Sequence, residues 1–216
     1  MRITFTNYRK SAMRHTFGVV VLTLCMLLLH GRAEASDEGV MFFALGVSTH
    51  LPSTDYVNRG LGGDFTMGGR VGRHVFGLDV DIEAMGHCRK DINTHKGDIY
   101  AGERITTNGA TLFYGKQARK VGIFELTPYV GLGARCYFGG VRDEKYIDDD
   151  DEDTAVYKTG ASLGLGLMAE IPICANRWDT QHALCIKPYF CITEYGKQLK
   201  LVPSFNLTIQ WNFMFD

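Results

Sequence analysis

The sequence predicts an all-β protein, a closed antiparallel up-and-down transmembrane β-barrel of about eight strands. Three observations predict it. An export signal opens the chain, apolar and polar residues alternate along most of the remainder, and the residues between the apolar ones are small or charged.

The opening segment has the three parts of a secretory signal. Arg9, Lys10, Arg14 and His15 make it basic, Phe17 to Leu29 is almost unbroken apolar sequence, and Ala33-Glu34-Ala35 offers small residues to a signal peptidase. The expected division is residues 1–35 as signal peptide, cleaved near Ala35, and residues 36–216 as the barrel domain. The apolar run is about a dozen residues, short of the ~20 that a spanning helix needs. Met13 is an alternative start, and an uncleaved helical anchor is the alternative reading. Leu24 before Cys25 does not suit a lipoprotein anchor. No later segment is apolar enough for a membrane helix, so any crossing is made by strands.

The charge is balanced at 23 basic against 24 acidic side chains. A nucleic-acid binder would need a basic excess or a basic stripe. The apolar content is too high for a disordered chain.

The strands follow from alternation of period two. Met41, Phe43, Leu45 and Val47 alternate with Phe42, Ala44, Gly46 and Ser48. Phe65, Met67, Gly69 and Val71 alternate with Thr66, Gly68, Arg70 and Gly72. Phe76, Leu78, Val80, Ile82 and Ala84 alternate with Gly77, Asp79, Asp81 and Glu83. Ala110, Leu112 and Tyr114 alternate with Thr111, Phe113 and Gly115. Phe124 to Ala134 opposes Glu125 to Arg135, Ala161 to Ile171 opposes Ser162 to Glu170, and Leu184 to Ile192 opposes Cys185 to Thr193. The last strand is the clearest. Phe205, Leu207, Ile209, Trp211, Phe213 and Phe215 form one face, and Ser204, Asn206, Thr208, Gln210 and Asn212 the other. On a helix these sets would scatter around the axis.

The connections alternate in length, with two exceptions. His50 to Asp64, Gly86 to Thr106 and Phe138 to Val156 are long, and Gly72 to Val75 is tight. Cys174 to Ala183 is long where a short turn is expected, and Tyr195 to Lys200 is short where a long loop is expected. Long loops on one side and short turns on the other are the pattern of bacterial membrane barrels.

Alternation alone does not say which face is outside. A secreted lipocalin-like barrel would turn its apolar face inward around a ligand. The polar set favours the opposite arrangement. It is rich in Gly and Ser, which suit a crowded narrow lumen. It also carries Arg70, Asp79, Asp81, Glu83, Glu125, Arg135, Glu170 and Lys187, charges of both signs that could pair across an interior.

With this alternation, this distribution of Gly and the ending LTIQWNFMFD, the mature chain resembles the small eight-stranded outer-membrane barrels, the porin-like or outer-membrane-protein β-barrel domain family. The resemblance covers nearly the whole mature chain and rests on no sharp motif. It implies an outer-membrane location in a Gram-negative cell envelope, with outer-membrane lipid as the solvent of the wall. It also implies that the barrel assembly machinery reads the last strand, where Leu207, Ile209, Trp211, Phe213 and Phe215 match the alternating aromatic pattern. Asp216 departs from members that end on the aromatic itself. Function does not follow from such a fold.

Candidate sites are few. The inward charges form either a structural ion-pair network or a polar path for small solutes, and eight strands leave room for little but side chains. The acidic run Asp148 to Asp153 lacks the spacing and the turn Gly of a calcium loop. Cys88, Cys136, Cys174, Cys185 and Cys191 remain after signal removal, and Cys174 and Cys185 flank one connection, which makes a disulfide possible. No paired Cys or His spacing suggests zinc. His87 and His95 share a long connection with Asp91 and Asp98 but have no nucleophile beside them. No cofactor, metal site or catalytic residue is expected. The expected role is non-enzymatic: structural support, adhesion or surface recognition of an extracellular ligand through the outer loops. A narrow channel, a lipid-modifying barrel enzyme and a soluble lipocalin-like barrel are the alternatives.

Overall fold

Alternating residues make the strands, and Gly- or charge-rich breaks end them. The computed structural model describes residues 39–94, 97–139, 141–142, 156–175, 180–196 and 198–215. Residues 1–35, the acidic run Asp148 to Asp153 and His95 lie outside these. Among the described residues twelve strands follow one another: β1 (Gly39–Pro52), β2 (Gly60–Val71), β3 (His74–His87), β4 (Ile92–Asn93), β5 (Gly97–Ile99), β6 (Arg104–Lys116), β7 (Arg119–Val121), β8 (Phe124–Gly139), β9 (Val141–Arg142), β10 (Val156–Ala175), β11 (Thr180–Glu194) and β12 (Leu201–Phe215).

Eight of them close into a barrel. β1, β2, β3, β6, β8, β10, β11 and β12 pair antiparallel in that order, and β12 returns to β1. Closure leaves the barrel no free edge to template association with another chain. Partners traced from Met41 through Gly69, Phe76, Tyr114, Val130, Leu165, Phe190 and Phe205 return to β1 at Leu51, ten residues further along. That stagger on eight strands tilts each by about 40° and leaves a lumen only as wide as its side chains.

The two rims differ. One carries the strand ends at Gly39 and Phe215, the Gly72–Arg73 turn, the β7–β8 hairpin and the ends of β10 and β11 at Ala175 and Thr180. Gly72 takes φ +55° in its turn, a conformation that costs Gly nothing. The other rim carries residues 53–59, 88–94 and 97–103, β9 and the turn between Glu194 and Leu201.

The strands run further than the hydropathy pattern shows. β2 begins at Gly60, so the first connection is 53–59 and Asp64 belongs to the wall. β10 and β11 extend to Ala175 and from Thr180, so the connection expected to be long is a short one, in keeping with its rim. Backbone pairing carried these segments on where Gly62, Gly63, Pro172 and Gln181 interrupt the alternation.

Two apolar clusters fill the ends of the interior. From the short-turn rim up the inner face of β11, Phe42, Val75, Phe113, Tyr129, Met168, Ala183, Cys185, Tyr189, Cys191 and Met214 pack together. At the long-connection rim Val57, Met85, Cys88, Ile92, Ile99, Ile105, Tyr137, Val156, Tyr195, Leu199 and Val202 form a second core. β4, β5 and β9 add a small three-stranded sheet there, drawn from two different connections.

Candidate functional site: a filled lumen inside an apolar wall

Strand pleating sends alternate side chains to opposite faces, and burial shows which face is which. On β12, Ile209 is 51 % exposed while its neighbours Thr208 and Gln210 are 3 % and 2 % exposed. Phe205, Leu207, Ile209, Trp211, Phe213 and Phe215 all point outward. Leu45, Val47, Leu132, Leu163 and Leu165 continue this surface around the barrel. The soluble lipocalin-like alternative required these residues inside, and the structure overturns it. A wall of this kind is stable only where water is absent.

Aromatic residues ring the wall near the short-turn rim. Phe43 stacks on Phe213 and Phe215 with centroids 4.9 Å and 5.4 Å apart. The Trp211 indole N–H reaches His182 Nδ1 at 3.3 Å. His74 Nδ1 and the Tyr114 hydroxyl are 2.6 Å apart.

The lumen holds three tiers of charge. Nearest the short-turn rim, Arg70 Nη2 donates to Glu170 Oε2 at 2.5 Å, and Asn212 Nδ2 donates to the other oxygen at 2.8 Å. Gln210 Nε2 donates to Asn212 Oδ1 at 2.9 Å and so connects this tier to the next. There the Lys187 ammonium donates to Asp79 and to Thr66 Oγ1 at 3.0 Å, and it lies 3.5 Å from Asp64. In the third tier the Arg135 guanidinium bonds Asp81 at 2.8 Å and Glu83 at 2.9 Å, and Ser48 Oγ donates to Glu83 at 2.9 Å. His50 Nδ1 and Asn206 Oδ1 close the tier at 2.5 Å. Lys187 and Arg135 are almost wholly buried. Charges so placed are costly to desolvate, and mutual pairing with hydrogen bonds offsets that cost.

Glycine makes room for these groups. A Cβ on Gly109 would lie 2.6 Å from Arg135 Nη2. The Tyr189 ring lies over Gly131 and Gly164, each of whose Cβ positions is 2.7 Å from its hydroxyl. Tyr129 covers Gly166 and stacks on Tyr189 at 5.6 Å. The space left among the belt carboxylates is about 10 Å³, lined by Asp64, Asp79, Asp81, Glu83 and Lys187 among others. That is room for about one water.

The fold brings together seven of the eight charges singled out in the sequence. Glu125, the register partner of Glu170, is not bonded to them; it takes a hydrogen bond from Gln117 at 3.2 Å and faces Lys120 at 3.8 Å. Sequence reading missed Asp64, because Gly62 and Gly63 mask its strand. Thr66, Gln210, Asn212 and Asn206 join the network from faces whose inward parity is legible in the sequence, whereas His50 lies where the sequence predicts a connection.

Cys174 and Cys185, the pair considered for a disulfide, do not share a register position. Cys185 is a free, buried thiol whose register partner is Glu170, whereas Cys174 pairs with His182. A bulge at Pro172/Cys174 separates the two positions further. Cys88 is free and buried under the outer core, its thiol donating to the Lys90 carbonyl at 2.8 Å. Burial pushes that thiol above its ordinary pKa. Asp91 braces a turn by accepting the Ala101 N–H at 2.8 Å.

These features define a class: a small, closed, eight-stranded antiparallel barrel with an apolar wall and a filled polar interior, the architecture of the small outer-membrane barrels. No protein-family model matches the sequence, and no curated protein matches it. Eighteen chains of solved structures match the fold. Among them is Ail, the attachment invasion locus protein of Yersinia pestis, crystallised with the heparin analogue sucrose octasulfate; it is 10 % identical, with 82 % of this chain and 99 % of that chain covered and a TM-score of 0.47. A major outer membrane protein from Thermus thermophilus is 14 % identical over 82 % and 98 % of the two chains, with a TM-score of 0.47. Neisserial surface protein A is 15 % identical over 81 % and 98 %, with a TM-score of 0.43. At these identities the likeness is one of fold.

Proposed function

We propose that the protein is a non-enzymatic outer-membrane barrel, anchored by its wall and presenting its long-connection rim as a surface for recognition or adhesion. The observation that carries this reading is the second core at that rim. An anchor alone needs only loops. Here three connections pack Val57, Ile92, Ile99 and Leu199 onto Tyr137 and Tyr195, and a small sheet ties the connection of Ile92 and Ile99 to β9. Loops held on a core of their own keep one shape, which a recognition surface requires.

Outer-membrane lipid is the partner that suits the wall. The barrel assembly machinery is the partner that suits the outward aromatic row of β12. The grouped charges are occupied with one another, which favours a structural role for them over catalysis. A narrow channel is the weaker reading, because side chains fill the lumen through all three tiers.

Fractionation joined to a boiling-shift gel tests the location. A detergent-extracted outer-membrane protein whose mobility changes on boiling is expected, and a soluble periplasmic protein would sink the proposal. Protease shaving of intact cells should cut within residues 140–155 and leave the barrel whole. Ligand screening on whole cells, with and without those outer connections, then addresses recognition.

A further inference from the structure

The lumen is filled through its charge tiers, but its mouth at the short-turn rim is not. A cavity of about 340 Å³ lies there, with Arg70, Lys120, Glu125 and Glu170 in its walls. That volume falls within the about 300–1,000 Å³ of small-molecule sites. One register row crosses the cavity: Lys120 lies opposite Glu125 on β7 and β8, and Glu125 opposite Glu170 on β8 and β10. Side-chain exposure falls from 64 % at Lys120 through 24 % at Glu125 to 5 % at Glu170, so the cavity deepens along the row. Arg70 reaches Glu170 from β2, across the mouth. Two cations and two carboxylates thus face one space, and their charges cancel.

Their hydrogen-bonding capacity is not used up. Both Glu170 oxygens are taken, by Arg70 Nη2 and Asn212 Nδ2, and Gln117 occupies Glu125 Oε2. Arg70 Nε is buried without an acceptor, a state that is rare for a guanidinium N–H. The Lys120 ammonium lies 3.8 Å from Glu125 Oε1, beyond hydrogen-bond distance. Among the described residues neither of those two atoms has a hydrogen bond. What remains open is a set of donors on Arg70 and Lys120 beside one anionic acceptor, Glu125 Oε1. The rest of the cavity wall is apolar. Pro172, Ile173, Ala183 and Met214 form it, and Ile173, at the β10 bulge, is 47 % exposed.

We propose that this mouth cavity binds a zwitterionic amino acid with an aliphatic side chain. The carboxylate lies between Arg70 and Lys120, the ammonium on Glu125 Oε1, and the side chain against Pro172, Ile173 and Met214. A simple carboxylate would leave the cavity with one net negative charge, and a simple amine with one net positive charge. The zwitterion keeps it neutral and meets the open donors and the open acceptor together. The site lies at the rim opposite the proposed recognition surface and does not depend on that reading.

The test is saturation-transfer NMR on the whole protein in nanodiscs, with empty nanodiscs as background. The probes are leucine, 4-methylpentanoate, which is leucine without its ammonium, and 3-methylbutylamine, which is leucine without its carboxylate. Leucine should saturate the wild type, and each half-ligand should bind about tenfold more weakly or worse. Lys120→Gln should erase the advantage of leucine over 3-methylbutylamine, and Glu125→Gln its advantage over 4-methylpentanoate. Lys90→Gln, a charge change at the opposite rim, should alter nothing. Both test positions are outside the buried tiers, and a boiling-shift gel on each variant reports the barrel independently. Leucine that fails to saturate a correctly shifting wild type overturns the proposal. So does leucine binding that neither Lys120→Gln nor Glu125→Gln weakens. If 4-methylpentanoate binds as tightly as leucine the mouth is a plain anion site, and if 3-methylbutylamine does it is a plain cation site; either result overturns the zwitterion.

Discussion

Gly109 and Arg135 are fitted to one another across the β6–β8 pair: a methyl group on Gly109 would stand 2.6 Å from Arg135 Nη2. Backbone and belt are therefore coupled, since the third charge tier exists only where β6 lacks a side chain. Gly109→Ala should push the guanidinium off Asp81 and lower stability by about 1–3 kcal/mol. Gly63→Ala, where the Cβ position is open, is the control and should change stability by less than ~0.5 kcal/mol. Urea unfolding in detergent, followed by gel mobility, distinguishes the two.

Removing the Lys187 ammonium leaves Asp64 and Asp79 buried against each other. Lys187→Met should cost about 3–5 kcal/mol. Adding Asp64→Asn and Asp79→Asn should recover most of that loss, because a neutral tier needs no countercharge. If the single variant is as stable as the wild type, the tier contributes little.

Along the wall the cost of a charge should depend on depth. Ile209 lies mid-strand on β12 and Leu201 at its outer end. In lipid vesicles Ile209→Arg should cost about 2–4 kcal/mol and Leu201→Arg about 0–1 kcal/mol. Equal costs at the two positions would contradict a lipid-facing belt.

The thiols give a fourth test. Cys174→Ser should leave stability within ~0.5 kcal/mol, whereas loss of a genuine bridge would cost about 2 kcal/mol or more. Cys88 should alkylate slowly at neutral pH, because its raised pKa keeps the thiolate fraction low, and faster as pH rises. Rapid labelling of Cys88 in the folded protein would mean that the outer core opens.

Much of this was already legible in the chain. The facing of each strand is a local property: period-two alternation assigns Ile209 and Trp211 to one side and Thr208 and Gln210 to the other before any partner is known. The small and charged character of the second set also said which side was inside, since a water-facing surface would not be so rich in Gly. Charge placement was legible to the same extent, because an inward parity is all that Arg135 or Lys187 needs to be a lumen residue.

Pairing was decided only by the tertiary structure. Which carboxylate Arg135 meets depends on how far β3 is staggered against β6 and β8, and that stagger is fixed by closing the sheet with its ten-residue shift. The same closure carried β2 through Gly62 and Gly63 to include Asp64, left Glu125 at the rim, and kept Cys174 and Cys185 out of register. The outer core was beyond local reading as well, because Val57, Ile99 and Leu199 come from connections with no periodicity and meet only when three loops converge over one mouth. Facing is encoded residue by residue along the strand, whereas register, ion-pair partners and loop packing are properties of the closed barrel as a whole.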